Sequence, residues 1–178
     1  MYILGDIGNS ETKVYLVNSK NKIIRNINFS SKKINNKILN QKFKYLIKDL
    51  KSVKKVLFCS VVPKSFNIIK KFLSKKIKKR CYEVKDLRLR SLINIKVNFK
   101  QVGSDRLTNA ISLLNNRDNF IILDFGTATT FDVITQKIYR GGIIAPGIKI
   151  SLNTLSDKAS LIPKINLKQI KKVIGIDT

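Results

Sequence analysis

The feature that most constrains this chain is a short pattern that occurs twice, near residue 6 and again near residue 124. Asp6-Ile7-Gly8-Asn9-Ser10 and Asp124-Phe125-Gly126-Thr127-Ala128 both read Asp-x-Gly, then Asn or Thr, then a small residue. Each copy follows an apolar run, 1–4 or 120–123, and precedes a second strand-like run, 13–17 or 130–134. A repeat that is weak in residues and strong in context predicts a duplicated lobe with a cleft between the copies. With 178 residues, 43% of them hydrophobic, the chain can bury a core for two small lobes.

The segment between the copies reads as alternating strand and helix, which predicts an α/β fold. Residues 22–29 extend the first hairpin. Phe43, Leu46, Ile47 and Leu50 fall at i, i+3, i+4 and i+7 and predict a helix over 41–51. An apolar strand at 56–62 ends at Pro63, and Phe66, Ile69, Leu73 and Ile77 mark a second amphipathic helix. Strand-like segments at 81–84 and 93–97 lead to Gly103-Ser104-Asp105-Arg106 and a helix carrying Leu107, Ala110, Ile111 and Leu114. The lobes are expected to divide as 1–116 and 117–178.

Charge narrows the function less than its size suggests. The formal net charge is +25, yet the lysines are scattered over nearly every segment and travel with abundant Ile and Asn. That distribution is a background composition and not a concentrated polyanion footprint, so nucleic acid is not an expected partner. The densest run, 75–80, has Ile77 at its centre and reads as the solvated end of a helix. Two cysteines, Cys59 and Cys81, and no histidine argue against a zinc site or a disulfide framework and for a reducing cytoplasm. No apolar run reaches the length of a membrane span, and the amino terminus enters a strand-like segment directly, so neither a membrane nor export is expected.

A Gly-containing turn between strands can aim backbone N–H groups at phosphate oxygens, which makes Gly8 and Gly126 candidates for an anion cradle. Asn9, Ser10, Thr12, Thr127 and Thr129 can add hydrogen bonds to the same anion. Phosphoryl transfer from ATP uses Mg²⁺ held through one or two carboxylates, for which Asp6 and Asp124 are the natural holders; each can equally cap its own turn. Lys13 is placed to reach a phosphate or to stand exposed. Asp105 can serve as the base that takes a proton from an acceptor hydroxyl, or as the cap of the helix it begins. Arg106 can hold a substrate anion by its planar fork or pair with an acidic neighbour.

Five motifs, DIGNSETK at 6–13, SVVP at 60–63, GSDR at 103–106, DFGTATTFD at 124–132 and GGIIAPGI at 141–148, occur in order along the whole chain. Together they resemble the type III pantothenate kinases, a family that includes the Bvg accessory factors. The resemblance implies an actin-like, duplicated ribonuclease-H-type fold of two lobes with mixed sheets and flanking helices. It implies ATP-dependent phosphorylation of pantothenate, the opening step of coenzyme A synthesis, by a cytoplasmic homodimer. It assigns Asp6, Ile7, Gly8, Asn9, Ser10, Glu11, Thr12, Lys13 and Thr127 to ATP, and Gly103, Ser104, Asp105, Arg106 and Thr178 to pantothenate, with Asp105 as proton acceptor. Asp124 matches the ligand of a monovalent cation, K⁺ or NH₄⁺. Three departures stand out: Ser10 replaces a usual Thr, 96–101 lacks the Tyr and Pro common before GSDR, and the chain stops at Thr178 where relatives continue, leaving the second lobe incomplete. The last departure keeps a second class open, a regulatory or nucleic-acid-binding relative with a cleft but no turnover.

Overall fold

The computed structural model describes residues 1–46, 52–115 and 117–164. β1 (Tyr2–Ile7), β2 (Glu11–Val17) and β3 (Ile23–Ser30) form an antiparallel meander. Alternation is visible in β2, where Thr12, Val14 and Leu16 are buried and Glu11 and Lys13 face outward. β4 (Lys55–Ser60) then joins the other edge of β1 in parallel, and β5 (Cys81–Glu83) joins β4, giving the order β3-β2-β1-β4-β5. Two helices, α1 (Asn36–Leu46) and α2 (Pro63–Ile77), cover one face and pack Leu39, Phe43, Ile69 and Leu73 on Ile3, Ile7, Val14 and Phe58.

Two expectations shift here. The first helix begins five residues earlier than the apolar spacing predicts, because Asn35 caps it: its side chain accepts from Ile38 N at 3.0 Å. The predicted tail of that helix, Ile47 and Leu50 included, lies outside the described residues. Asp6 belongs to β1 and not to the turn, since β1 pairs with β2 as far as Ile7↔Thr12.

The second half repeats the meander. β7 (Asn119–Phe125), β8 (Ala128–Thr135) and β9 (Ile138–Pro146) are antiparallel in sequence order, and the two-residue β6 (Asn94–Ile95) pairs with β9, giving β6-β9-β8-β7. The 93–97 segment therefore supplies a strand of two residues and not five. Asp124 pairs with Thr130 as Asp6 pairs with Lys13, so the two copies of the pattern occupy the same place in two equivalent meanders. α3 (Ser104–Ser112) comes between the meanders in sequence and lies between them in space. Its Leu107 and Ala110 share a core with Ile134 and Tyr139 of the second sheet, and Leu57 and Cys59 of the first sheet pack against that core. Among the described residues nothing covers the other face of the second sheet: Ile121 and Phe125 are 68% and 62% exposed, and Ile143 shares that face through the register Leu123↔Phe131↔Ile143. Among the described residues the second sheet has no parallel strands beside β7, and α4 (Ile148–Lys158) has no buried residue.

Candidate functional site

Both meanders turn at the same end, and their loops face each other across a cleft of about 330 Å³. Asp6, Asn9 and Lys13 line it from the first lobe, Asp124 and Thr127 from the second, and Asp105 from α3. Contact across the cleft is direct: the Ser10 and Thr127 hydroxyls lie 2.8 Å apart, 117 residues apart in sequence. Each turn is closed by its own backbone, Gly8 N donating to Glu11 O and Gly126 N to Ala128 O, both at 3.0 Å. Those two N–H groups are thus spent within the hairpins, and what Gly8 and Gly126 offer an anion is close approach. Gly147 N donates to Thr127 O at 3.1 Å, which ties the GGIIAPGI segment to the second loop.

Asp105 sits in the first turn of α3, where its Oδ1 accepts from Arg106 N at 2.8 Å. The carboxylate takes up one of the free N–H groups of the helix start and also faces the cleft, so capping and chemistry coexist. A side chain at Gly103 would overlap Asp105 Oδ1, and glycine there lets the carboxylate fold back over the helix start. Burial raises the Asp105 pKa above the ordinary carboxylate range. The Arg106 N–H and guanidinium oppose this, while the Asp6 and Asp124 carboxylates add to it. The same burial raises the Cys59 thiol, with Asp6 next in effect, and keeps it a donor: Sγ donates to Asp6 Oδ1 at 3.4 Å.

Of the residues expected to form the site, Asp6, Gly8, Asn9, Ser10, Glu11, Lys13, Asp105, Asp124 and Thr127 line one cleft. Lys13 Nζ lies 3.9 Å from Glu11 Oε2 on the rim, with both side chains about half exposed. Ile7, Thr12 and Thr129 are buried, and the Thr12 hydroxyl pairs with Ser31 at 2.8 Å. Gly103, Ser104 and Arg106 flank the cleft without lining it. Arg106 pairs with an acidic neighbour, Asp132, through Nε at 2.8 Å and Nη2 at 2.6 Å. The second of these is an ion pair without good hydrogen-bond geometry, since Nη2 is otherwise a buried nitrogen with no partner. Thr178 lies outside the described residues.

Sequence reasoning missed three side chains. Asn109 Nδ2 donates to Asp124 Oδ2 at 3.0 Å, and its place four residues after Asp105, on the same helix face, was the available signal. Thr130 lines the cleft with a buried hydroxyl that has no partner among the described residues, at the position equivalent to Lys13. Asp132 is fully buried and also accepts from the Tyr139 hydroxyl. No group of three or more His, Cys, Asp or Glu side chains among the described residues is placed to cage a metal ion.

Comparison with known proteins gives this geometry a family. The chain is 61% identical over 178 residues to the type III pantothenate kinase of Pelagibacter ubique, covering all of this chain and 72% of that protein. It is 39% identical over 136 residues to that of Persephonella marina (71% of this chain, 51% of that one) and 32% identical to that of Desulforapulum autotrophicum (100% and 71%). Among solved structures it resembles a protein from Campylobacter jejuni described as a Baf family transcriptional activator, with a TM-score of 0.51 at 17% identity over 96% of this chain and 68% of that one. At that identity the likeness speaks for the shared fold alone. The family model for type III pantothenate kinases matches residues 2–178. With two equivalent meanders, a cleft between their Asp-x-Gly segments and a match along its length, this chain belongs to the type III pantothenate kinase family.

Proposed function

We propose that this chain transfers the terminal phosphoryl group of ATP to the 4′-hydroxyl of pantothenate, giving 4′-phosphopantothenate and opening coenzyme A synthesis. The observation that carries the reading is the convergence of Asp6, Asp124 and Asp105 on one cleft, in a chain matched by the family throughout. Residues Asp6, Ile7, Gly8, Asn9, Ser10, Glu11, Thr12 and Lys13 form the ATP loop, with Thr127 opposite. Ile7 and Thr12 act from inside the fold, as packing that shapes the loop. Asp105 is the base. As the phosphorus–oxygen bond forms, the acceptor proton passes to its carboxylate, whose raised proton affinity suits that role.

A cleft lined by four acids, Asp6, Glu11, Asp105 and Asp124, fits a hydrated Mg²⁺, which Asp6 would hold. Bound there, the ion supplies neutralisation of the transferring charge. Asp124, with Oδ2 engaged by Asn109, leaves Oδ1 for a monovalent cation, K⁺ or NH₄⁺. The resemblance sets residues 103–106 and Thr178 on the pantothenate side; of the segment 103–106, Asp105 reaches the cleft, and Gly103, Ser104 and Arg106 stand behind it. The lobes divide at 116/117, between α3 and β7. The homodimer is carried over from the resemblance. A cytoplasmic location accords with two free thiols, and no described helix is long and apolar enough to cross a membrane.

The test is the purified protein with ATP, pantothenate, Mg²⁺ and K⁺, scored by mass spectrometry for 4′-phosphopantothenate. Product with wild type and its loss in Asp105→Asn are expected. Absence of product with wild type, or full activity in the variant, overturns the reading.

A further inference from the structure

The helix that carries Asp105 is tied down immediately on either side of that residue, and the two ties lead to different lobes. On one side, Ser104 is 1% exposed and its hydroxyl is spent twice on the end of β4: Oγ accepts from Ser60 N at 2.7 Å and donates to Ser60 O at 3.0 Å. A serine side chain that clasps both backbone groups of one residue fixes position and not merely contact. Ser60 opens the SVVP segment, and its neighbour Val61 donates from N to Ile7 O at 3.0 Å, so the clasp leads straight into β1 and the first loop.

On the other side, Arg106 reaches the second sheet. Its Nε lies 2.8 and 3.1 Å from the two Asp132 oxygens, and Asp132 is itself held by the Tyr139 hydroxyl. This contact is built for. Gly142 stands opposite Asp132 in the β8–β9 register, and any side chain there would overlap Phe131 O and come within 2.6 Å of Arg106 Nη2 and 2.9 Å of Asp132 Oδ1. One turn further along α3, Asn109 adds its bond to Asp124. The residues on both sides of Asp105 are therefore directed away from the cleft, each toward a different lobe.

We propose that Ser104 and Arg106 are positioning residues, Ser104 fastening α3 to the first sheet and Arg106 fastening it to the second, so that the Asp105 carboxylate is held at one place across the cleft. This rests on the reading of Asp105 as the base and refines it, because the GSDR segment then presents one reacting side chain and two anchors. The arrangement also makes α3 the strut between the lobes. Catalysis by a positioned base depends steeply on distance, and displacement by about 1 Å can cost on the order of 100-fold in rate.

Three measurements test it. In Ser104→Ala, Ser60 N keeps Glu83 Oε1 at 3.3 Å as a second acceptor, so the fold survives. We expect kcat to fall roughly 10- to 100-fold with KM for pantothenate within about twofold, and Ser104→Thr, which restores the hydroxyl, to recover most of the loss. A rise in KM with kcat unchanged makes Ser104 a substrate ligand and overturns the proposal. In Asp132→Asn, kcat is expected to fall alike for pantothenate and for an uncharged amide analogue; a defect confined to the carboxylate substrate assigns Arg106 to substrate binding instead. Amide exchange needs no turnover: the Leu107 and Thr108 amides are expected to exchange at least about tenfold faster in Ser104→Ala than in wild type. Unchanged exchange removes the clasp even if the wild type proves active, and an inactive wild type with faster exchange sinks the kinase reading while leaving the strut in place.

Discussion

Replacing Asp132 by alanine is expected to destabilise this protein more than any surface change. Its carboxylate is fully buried, Arg106 has only 12% of its side chain exposed, and Tyr139 is buried with its hydroxyl on the same carboxylate. Removing one partner of a buried ion pair leaves a desolvated charge, at a cost of about 3–5 kcal/mol. The stranded tyrosine hydroxyl adds about 1–3 kcal/mol. Taken together, a loss of roughly 4–8 kcal/mol is comparable with the whole stability of many domains. At roughly 2–4 °C per kcal/mol for a chain of this size, the midpoint falls by about 10–30 °C. The control is the triple variant Arg106→Met, Asp132→Leu, Tyr139→Phe, which removes the polar groups together and is expected within about 2 kcal/mol of wild type, because no buried charge remains. Urea unfolding followed by circular dichroism, with calorimetry, measures all three proteins. A loss below about 1 kcal/mol in Asp132→Ala, or a triple variant as unstable as the single one, refutes the argument.

Asp105→Asn is expected to lower kcat by about 10²–10⁴-fold while leaving the KM for ATP nearly unchanged, measured by coupled ADP release. The same variant is expected to be more stable than wild type near pH 7: a carboxyl with a raised folded pKa favours folding below its unfolded pKa and loses that contribution as pH rises through the folded pKa, and Asn does not titrate. In wild type, kcat/KM rises with pH as Asp105 loses its proton, with an inflection above the ordinary carboxylate range, and Asp6→Asn is expected to move that inflection down by removing a facing charge. Thr130→Val is expected to keep or improve stability, since the hydroxyl has no partner among the described residues, and to raise the KM for ATP about tenfold; an unchanged KM removes Thr130 from the site. Gly142→Ala is expected to cost at least about 2 kcal/mol in urea unfolding, because its methyl meets backbone and the Arg106–Asp132 pair.

How much of this was legible beforehand differs by element. The repeat located both Asp-x-Gly segments, because strand–turn–strand alternation and Gly placement are local properties. The same local logic marked α2, whose Pro63 start is written in the chain. It misplaced α1, because the cap that starts it is one asparagine among many, and Asn35 carries no signal that Asn36 or Asn40 lacks. It also ended the first strand at Leu4, three pairings too soon, since how far a strand runs is decided by what pairs beside it.

The site divides along the same line. That Asp6, Asp105 and Asp124 carry the chemistry could be proposed from motifs, each set by neighbours within a few residues. Which of the two open roles Arg106 takes could not, because its partner stands 26 residues away on a strand whose facing side depends on the register of the whole second meander. Asn109 on Asp124, Ser104 on Ser60 and the unsatisfied Thr130 hydroxyl have the same origin. Local pattern sets secondary structure and the order of motifs, since hydrogen bonding and side-chain alternation act between near neighbours. Polar pairing across lobes is set only when the sheets and α3 pack, because a buried donor takes whichever acceptor the packing brings within about 3 Å of it.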